Sequence, residues 1–379
     1  MRSLKKFRKN MPRLDPHIII SGGGTGGHIF PALAIARALK KKLPEAQILF
    51  IGAKGKMEME KVPAAGFPIK GLWISGLRRE LSFENLMFPL KVLHSLIIAT
   101  CIIRRFKADV AVGVGGYASG PALRSAGMLG IPTLIQEQNS FPGITNKLLG
   151  KKASRICVAY EGMEKFFPAN KIIITGNPVR KEIIETEGKK GEAVSFFGLE
   201  SSKKTVFIVG GSQGAYSINT CIEKLLPLLK SNQVQLLWQT GLNFMQRANE
   251  ACVKAGYADV KVVDFIQRMD LAYAIADIVI SRAGAIAIAE LSAVRKPVIF
   301  IPLPTAAEDH QMKNAKRLEE KEAALVIKDQ EAAEKLPSLL LNLLGDEAGL
   351  KKLEQQIGTF AIVDADEKIA DEIIALINR

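Results

Sequence analysis

A run of glycines leads into a histidine near the start of the chain, in the sequence Ser21-Gly-Gly-Gly-Thr-Gly-Gly-His28. A strand pattern precedes this run, and a helix pattern follows it from about Pro31, a residue suited to an early helix position. Glycines let the main chain approach a ligand, and N–H groups at a helix N-terminus favour an anion. We predict an anion-binding loop in which the His28 imidazole acts as general base, the alternative being a packed or capping histidine.

Two further glycine clusters also lie between a strand pattern and a helix pattern. The second cluster, residues 113–121, is either a tight turn capped by Ser119 or a second anion-binding loop. The third cluster, residues 210–215, is expected to bind phosphate through the hydroxyl and the backbone N–H of Ser212. It is not a P-loop, because no Gly-Lys-Ser/Thr follows, and it lacks the Gly-x-Ser-x-Gly spacing of a nucleophile elbow.

Polar residues follow other strand patterns. The sequence Gln136-Glu-Gln-Asn139 is either a solvated loop or a source of amide hydrogen bonds for a sugar. Glu290 is the only acid in the apolar stretch 281–290, so it faces a ligand, such as two ribose hydroxyls, or pairs with an arginine. Asp309-His-Gln311 follows a proline-containing loop on the carboxyl side of a strand, where ligand sites of α/β proteins lie.

The first glycine cluster also satisfies the dinucleotide pattern Gly-x-Gly-x-x-Gly at Gly22, Gly24 and Gly27. Dinucleotide binding needs an acid at the tip of the second strand to hold the ribose. That tip reads Gly-Ala-Lys-Gly-Lys over residues 52–56 and contains no acid, which disfavours NAD. An NADP-dependent oxidoreductase, with Lys54 near the cofactor, remains an alternative.

Strand and helix patterns alternate in two successive series, which is typical of parallel sheets covered by helices. We predict an α/β fold of two Rossmann-like doubly wound domains, residues 1–177 and 178–359, with a final helix at about 360–379 packing back on the first. The predicted strands are 17–21, 47–51, 110–114, 133–135, 156–159, 172–175, 206–209, 234–238, 260–263, 278–280 and 298–301, and the clearest helices 32–42 and 86–105.

The positive charge of the chain is confined to its first part. Residues 1–170 contain 26 Lys and Arg against 10 Asp and Glu, whereas the remainder contains 26 against 28. A basic domain suits an anionic membrane, an acidic substrate or nucleic acid, but no basic motif interleaved with aromatic residues supports nucleic acid. Apolar residues in the segment 72–90 lie beside Lys91, Arg104, Arg105 and Lys107, which favours peripheral attachment to an anionic leaflet over a core helix with a solvated basic face.

The histidines and cysteines do not have the spacing of a metal site. The four histidines include no His-Glu-x-x-His, and the four cysteines include no Cys-x-x-Cys. No acidic pair suited to Mg²⁺ stands out either. We therefore expect no metal ion and no other cofactor in the protein site.

Seven motifs in order resemble those of the lipid I N-acetylglucosaminyltransferases of peptidoglycan synthesis: GGGTGGHIFP, GVGGYASGP, QEQNSFPG, GNPVR, GGSQGA, SRAGA with Glu290, and EDHQMKNA. The resemblance covers roughly residues 18–376. It implies the glycosyltransferase-B fold, in which two Rossmann-like domains face a central cleft. It also implies an inverting transferase that moves N-acetylglucosamine from UDP-N-acetylglucosamine to the 4-hydroxyl of the muramoyl sugar of lipid I, giving lipid II.

The resemblance assigns the donor to the C-terminal domain. Ile266 would bind uracil through its main chain with Arg180 nearby, Glu290 would accept the ribose hydroxyls, and Ser212 with its loop would hold the diphosphate. Gln311 would reach sugar hydroxyls, and residues of the N-terminal domain would close over the sugar. The implied donor contacts are Thr25, Gly26, Gly27, Asn139, Arg180, Ser212, Ile266, Ala285, Ile286, Ala287, Ile288, Ala289, Glu290 and Gln311.

The resemblance assigns the acceptor and the membrane to the N-terminal domain. His28, or a water that it orients, would take the proton from the acceptor hydroxyl. Backbone N–H groups and a helix dipole would stabilise the leaving diphosphate without a metal. The enzyme would lie on the cytoplasmic face of the bacterial cell membrane. The implied contacts of the acceptor's diphosphate are Gly115, Gly116, Tyr117, Ser119 and Gly120.

The chain departs from the family pattern at three positions. Gln136 stands where the family often has histidine, Ala287 where some members have threonine, and His310 where some have glutamine. Two further functions stay open beside the oxidoreductase. One is a related transferase with another lipid acceptor, such as a diacylglycerol glycosyltransferase, and the other is a non-catalytic binder of a nucleotide sugar or of nucleic acid.

Overall fold

A computed structural model describes residues 15–76 and 87–378 of the chain. The chain divides into two units, Met1–Pro178 with Asp364–Arg379, and Val179–Val363. The sequence-based bounds placed the division after residue 177 and the return to the first unit at about 360.

The first unit contains a seven-stranded sheet in the order β3-β2-β1-β4-β5-β6-β7. Every neighbouring pair is parallel, so all seven carboxyl ends lie along one edge. The strands are β1 (His17–Ser21), β2 (Gln47–Ala53), β3 (Ile69–Leu72), β4 (Val110–Gly113), β5 (Thr133–Glu137), β6 (Arg155–Val158) and β7 (Ile172–Ile174).

Helices cover both faces of this sheet, which explains its apolar strands. Ile18 and Ile20 pack into one core cluster, whereas Ile19 packs into the cluster on the opposite face. Successive side chains of a strand point to opposite faces, so a strand buried on both is apolar throughout. The helices are α1 (Gly26–Lys42), α2 (Glu58–Ala64), α3 (Phe88–Phe106), α4 (Ser119–Met128) and α5 (Ile144–Gly150).

The second unit contains a six-stranded parallel sheet in the order β10-β9-β8-β11-β12-β13. Its strands are β8 (Thr205–Val209), β9 (Gln235–Gln239), β10 (Val260–Val263), β11 (Ile278–Ser281), β12 (Val298–Phe300) and β13 (Leu325–Val326). Its helices are α6 (Lys181–Ile184), α7 (Lys190–Phe197), α8 (Tyr216–Ser231), α9 (Leu242–Ala255), α10 (Met269–Ile275), α11 (Ala285–Ala293), α12 (His310–Glu319), α13 (Ala332–Gly345) and α14 (Glu347–Gly358).

The last helix, α15 (Ala365–Ile377), belongs to the first unit. Ile369 and Ile373 are fully buried in the same cluster as Leu39 of α1. Lys42 of α1 also pairs with Asp371 at 2.5 Å. The last helix therefore packs on the unit that contains β1 and α1.

The structure differs from the sequence prediction at three elements. Strands β3 and β13 were not predicted, because β3 carries Lys70 and Gly71 and β13 has only two residues. Helix α1 begins at Gly26 rather than near Pro31, which lies inside the helix. Glycine has a poor helix propensity, so the pattern hid the first turn that contains His28.

Each sheet reverses its strand order at one point, and the glycine clusters lie there. In the first unit β1 has β2 on one side and β4 on the other, so the loops after β1 and β4 are neighbours. In the second unit the same holds for the loops after β8 and β11. Crevices at such reversal points are the ligand sites of doubly wound sheets. The topology thus brings together motifs that are far apart in the sequence.

Candidate active site

In the first unit, the first and second glycine clusters pack against each other. A Cβ atom on Gly116 would lie 2.3 Å from the carbonyl oxygen of Gly23, and one on Gly115 would lie 2.7 Å from Nε2 of His28. Both Gly115 and Gly116 also have positive φ, at +99° and +85°. Glycine is therefore required at both positions. The close contact places the His28 imidazole between the two loops.

His28 lies in the first turn of α1 and is half-buried. Its Nδ1 lies 3.1 Å from the carbonyl oxygen of Gly23 and 3.2 Å from the Thr25 hydroxyl. A carbonyl oxygen only accepts hydrogen bonds, so Nδ1 carries the proton in this contact. In the neutral ring the lone pair is then on Nε2, the nitrogen beside Gly115. This geometry suits a base whose acting atom is Nε2.

Glu58 is a residue of this site that the sequence analysis missed. Its side chain is fully buried, and its oxygens accept hydrogen bonds from the backbone N–H of Gly24, at 2.8 Å, and of Ala53, at 3.0 Å. Residues 52–56 contain no acid, as predicted. Glu58 lies two residues further on, at the start of α2, and its carboxylate binds the glycine loop and the end of β2. Its position in the sequence gave no periodic signal.

The predicted acceptor contacts of the second cluster differ in exposure. Tyr117 is 51% exposed, and its ring lies against Gly76. Ser119 is fully buried, and its hydroxyl bonds to the carbonyl oxygens of Ser21, at 3.0 Å, and Gly115, at 2.7 Å. Ser119 thus neither caps α4, in which it is the first residue, nor faces a ligand in this conformation. Its hydroxyl fastens the second cluster to β1.

Three of the four polar residues at the end of β5 form an internal network. Gln136, Glu137 and Gln138 are buried, and the Gln136 amide donates to Asn177 Oδ1 at 3.0 Å. These three side chains neither form a solvated loop nor are available to a sugar, so both predictions for this motif are wrong at these positions. Asn139 is half-buried and remains the candidate sugar contact.

The Glu137 carboxylate holds Asn139 in place. One of its oxygens accepts the backbone N–H of Asn139 at 3.0 Å and its amide at 3.3 Å, and the other accepts the Asn146 amide at 2.8 Å. Burial raises the pKa of the Glu137 carboxyl, an effect that these hydrogen bonds partly offset. No role of its own was predicted for Glu137. The feature that could have indicated one is the presence of an acid in a strand that is buried on both faces.

In the second unit, the third glycine cluster connects β8 to α8. Ser212 is exposed in this loop, as a phosphate contact requires. Gln239, at the end of β9, is buried and donates from Nε2 to the carbonyl oxygen of Gly211 at 2.9 Å. Its Oε1 accepts the backbone N–H of Ile266 at 2.9 Å. Gln239, which the sequence did not indicate as functional, thus links the third glycine cluster, expected to bind diphosphate, to the segment expected to bind uracil.

The hydrogen bond with Gln239 limits which main-chain group of Ile266 can bind uracil. The Ile266 side chain is buried and its N–H is engaged by Gln239, so contact with a base through this N–H is not possible in this conformation. The main-chain carbonyl is the group through which Ile266 can still contact uracil.

Glu290 lies in α11 beside an arginine and a tyrosine. Its carboxylate is 3.9 Å from Nη2 of Arg180 and accepts the Tyr273 hydroxyl at 3.2 Å. Its side chain is 12% exposed, against 37% for Arg180. Burial raises the pKa of the Glu290 carboxyl, and Arg180 and Tyr273 partly oppose that rise. The arginine pair predicted as one alternative is present, with the carboxylate still partly open to a ligand.

The other predicted donor contacts of α11 differ in how far they are buried. Ala285 and Ile288 are buried, and Ile288 packs in the core at 2% exposure, so its side chain does not contact a donor. Ile286, Ala287 and Ala289 are half-buried. The first residues of α11 follow the N-cap Gly284, so their N–H groups point out of the helix N-terminus, which suits a phosphate or a sugar oxygen.

Gln311 is the second residue of α12, and its Oε1 accepts the backbone N–H of Leu303 at 2.9 Å. Its amide NH2 is consequently the group that can donate to a sugar hydroxyl. Glu308 and Asp309, just before this helix, both have left-handed backbone conformations, with φ of 54° and 56°. Such strain in residues other than glycine is concentrated at functional sites.

A polar network behind the third cluster fixes the start of α8. Nη1 of Arg282 pairs with Asp329 Oδ1 at 2.5 Å, and Nη2 donates to the Ser217 hydroxyl at 2.8 Å. Ser217 in turn donates to Asp329 at 2.6 Å. Arg282 follows β11, and Ser217 lies in the first turn of α8. The network therefore connects the loop after β8 to the loop after β11, at the point where the strand order reverses. The sequence pattern indicated Arg282 only as part of the motif SRAGA.

Asp329→Ala is expected to lower the free energy of unfolding by about 3 kcal/mol, because it leaves the Arg282 guanidinium buried without its carboxylate. Chemical denaturation measures this. The control is Glu331→Ala, which removes the acid of the solvent-exposed pair with Lys335 and should change stability far less. Equal effects of the two variants would contradict a structural role for the network.

The described residues contain no cluster of three His, Cys, Asp or Glu side chains close enough to hold a metal ion. In the second unit the candidate groups for a diphosphate are Ser212, its loop and the N-terminus of α11. In the first unit they are the loops beside His28.

The chain is similar to known proteins over almost its whole length. Residues 18–158 match the N-terminal domain, and residues 205–369 the C-terminal domain, of glycosyltransferase family 28. A curated protein of Cytophaga hutchinsonii, named UDP-N-acetylglucosamine–N-acetylmuramyl-(pentapeptide) pyrophosphoryl-undecaprenol N-acetylglucosamine transferase, is 52% identical over 97% of this chain and 99% of its own. A protein of the same name from Bacteroides thetaiotaomicron is 52% identical over 95% of this chain and 97% of its own.

A solved structure gives the same result for the fold. The crystal structure of Acinetobacter baumannii MurG has a TM-score of 0.77 and 30% sequence identity, and the likeness covers 94% of this chain and 99% of that one. The expected fold class, two parallel-sheet α/β domains of the glycosyltransferase-B type, is confirmed.

Proposed function

We propose that this chain, which belongs to glycosyltransferase family 28, transfers N-acetylglucosamine from UDP-N-acetylglucosamine to the muramoyl sugar of lipid I, giving lipid II. The observation that carries the proposal is the 52% identity, over 97% of the chain, to a transferase named for this reaction. The site is compatible with it, because both units place glycine loops and helix N-termini at a strand reversal.

In the proposed reaction, the 4-hydroxyl of the acceptor attacks the anomeric carbon of the donor sugar. The C–O bond to UDP breaks, and the configuration inverts. Nε2 of His28 takes the hydroxyl proton directly or through a water, and the lone pair on this nitrogen supports that role. Glu290 accepts ribose hydroxyls, and Ser212 with its loop binds the diphosphate. The acceptor's diphosphate contacts the exposed part of the second glycine cluster.

The direct test is transfer from labelled UDP-N-acetylglucosamine to a short-chain lipid I analogue in detergent. We expect a disaccharide product from this donor and none from UDP-galactose. A diacylglycerol acceptor should give no product either. Transfer to diacylglycerol, or from UDP-galactose alone, would replace the proposal with the related lipid glycosyltransferase.

The leaving diphosphate gains charge as the bond to the sugar breaks, and N–H groups and a helix N-terminus stabilise that charge in the proposed site. Transfer is therefore expected to proceed at the same rate after dialysis against EDTA as with added Mg²⁺. Loss of activity in EDTA, restored by Mg²⁺, would show that a metal takes part in the reaction.

The acceptor carries a long lipid, so the enzyme lies on the cytoplasmic face of the membrane through its basic first unit. Leu90, Leu93 and Ile97 support this attachment, because they follow one face of α3 and each is more than half exposed. Ser95, Ala99 and Ile103 are buried on the other face. Lys91, Arg104 and Arg105 supply the basic groups that an anionic leaflet attracts.

Part of the predicted membrane segment, including Arg78 and Arg79, lies outside the described residues. In the described ranges, no helix has both the length and the apolar character needed to cross a membrane. The proposed attachment is supported by two features, the exposed apolar face of α3 and the positive charge of residues 1–170.

Replacing Leu93 and Ile97 together by serine is expected to reduce binding to vesicles that contain anionic lipid, because it removes apolar groups that would insert. Vesicle co-sedimentation measures this, and binding of the unchanged protein should fall with added salt. Val253→Ser is the control, since Val253 is 81% exposed but lies in the second unit. If the double variant bound vesicles as well as Val253→Ser does, this surface would be excluded. Binding of the unchanged protein that did not depend on salt would contradict the electrostatic part of the attachment.

A further inference from the structure

We propose that Glu58 is a positioning residue, whose buried carboxylate orients the Gly23–Gly24 peptide so that His28 keeps its proton on Nδ1 and presents Nε2 as the base. The inference rests on the proposed function only for the identity of the proton that His28 removes. The arrangement of Glu58, the peptide and the imidazole is a property of the first unit alone.

The Glu58 side chain joins two neighbouring strand ends. Its Oε1 accepts the N–H of Ala53, the last residue of β2, and its Oε2 accepts the N–H of Gly24 in the loop after β1. Both oxygens of the carboxylate are therefore engaged by the main chain. A hydrogen bond to a charged acceptor is stronger than one between neutral groups, and burial strengthens it further.

The N–H of Gly24 and the carbonyl of Gly23 belong to the same peptide unit. Glu58 accepts from the N–H at 2.8 Å, and the carbonyl oxygen accepts from Nδ1 of His28 at 3.1 Å. A peptide unit is planar and its N–H and C=O point in opposite directions, so fixing one of them fixes the other. The carboxylate is thereby coupled to the imidazole through one rigid group.

This peptide needs an external contact to hold its orientation. It lies between two glycines, and Gly24 has a φ of +86°, so the backbone itself restricts rotation of the peptide less than it would between other residues. The Glu58 side chain also fills the space beside Gly23, where an added Cβ would lie 2.2 Å from the carboxyl carbon. Glu58 thus removes the freedom that a glycine-rich loop would otherwise have.

The tautomer of His28 follows from the orientation of this peptide. With the carbonyl of Gly23 facing Nδ1, the proton is on Nδ1 and the lone pair on Nε2. If the peptide rotated, its carbonyl would leave Nδ1 and the imidazole could carry its proton on Nε2. In that tautomer the nitrogen beside the second glycine cluster could not accept a proton from the acceptor.

Glu58→Gln tests the proposal by kinetics. The amide keeps the shape of the side chain but replaces one acceptor oxygen with an NH2 group, which cannot bond to a backbone N–H. We expect kcat to fall by about a hundredfold, as when a catalytic group is slightly misplaced, with KM for UDP-N-acetylglucosamine little changed. The control is Glu60→Gln, an exposed acid on the same helix, which should leave both constants unchanged.

The spectroscopic test is the tautomer of His28 in protein labelled with ¹⁵N-histidine, at a pH where the ring is neutral. The His28 signal is identified by its loss in His28→Gln. We expect Nδ1 to carry the proton in the unchanged protein and the Nε2–H form to grow in Glu58→Gln. If Glu58→Gln fails to fold, Glu58→Asp, which keeps the carboxylate, is measured in its place.

Several outcomes would overturn the proposal. A His28 proton on Nε2 in the unchanged protein would do so whatever the variants show. A Glu58→Gln variant with a lower melting temperature but an unchanged tautomer would reduce Glu58 to a structural role, as would an unchanged kcat. If the unchanged protein transfers no N-acetylglucosamine, the proposed function fails, while the tautomer measurement still decides the role of Glu58.

Discussion

His28→Ala is expected to slow transfer by about a thousandfold, because a positioned general base contributes on this order. Binding of UDP-N-acetylglucosamine should be retained, since the uridine contacts are expected in the second unit. Steady-state transfer to a short-chain acceptor measures the rate, and calorimetric titration measures binding of the donor.

The matched control is His94→Ala, at an exposed histidine of α3 whose ring contacts Trp73 edge to face. With an acceptor in detergent it should transfer at the normal rate. If His28→Ala also retained the normal rate, another group would have to take the proton. A His28→Ala variant that lost donor binding would place the imidazole in the donor site instead.

Glu290→Gln is expected to weaken binding of UDP-N-acetylglucosamine by about a hundredfold, because hydrogen bonds from two ribose hydroxyls to a carboxylate become bonds to a neutral amide. The same substitution removes a buried charge, so thermal stability should stay the same or rise. Titration with the donor and a melting curve separate the two effects. Glu320→Gln, at an exposed residue just after α12, is the control and should change neither.

The gain in stability should depend on pH. Below the ordinary pKa of a glutamate, both the folded and the unfolded chain carry the Glu290 proton, and burial has no electrostatic cost. As the pH rises past that value, the unfolded chain ionises first, because burial raises the pKa in the folded state. The stability of the folded protein falls between the pKa of Glu290 in the unfolded chain and its higher pKa in the folded chain. Above the higher pKa, the loss of stability stays constant. The difference between Glu290→Gln and the unchanged protein should therefore grow from acid to neutral pH.

A gain in stability at acid pH only would contradict the sign of this shift. Normal donor binding by Glu290→Gln would contradict the ribose assignment and leave the Arg180 pair as the reason for the carboxylate. Loss of both binding and stability would show that the pair with Arg180 matters more for folding than its 3.9 Å separation suggests.

Local patterns predicted every described strand except β3 and β13, and they indicated where candidate sites lie. Runs such as Ile18–Ile20 are buried on both faces of a parallel sheet, an environment that favours continuous apolar sequence. Glycine clusters after such strands marked the ligand edge, because a close main-chain approach requires glycine. The two units, the glycine loops and the candidate base all follow from this short-range information.

Local sequence patterns could not predict contacts between residues that are distant in the chain. Glu58, Gln239 and Arg282 carry no periodic signal, and each acts through groups in other loops. Likewise, the motifs assigned Ser119, Ile266 and Ile288 to ligands. In the structure the Ser119 hydroxyl and the Ile266 N–H form hydrogen bonds within the protein, and the Ile288 side chain packs in the core. The direction in which a side chain points depends on strand order and loop packing, which bring together residues far apart in the chain, and no local pattern encodes that.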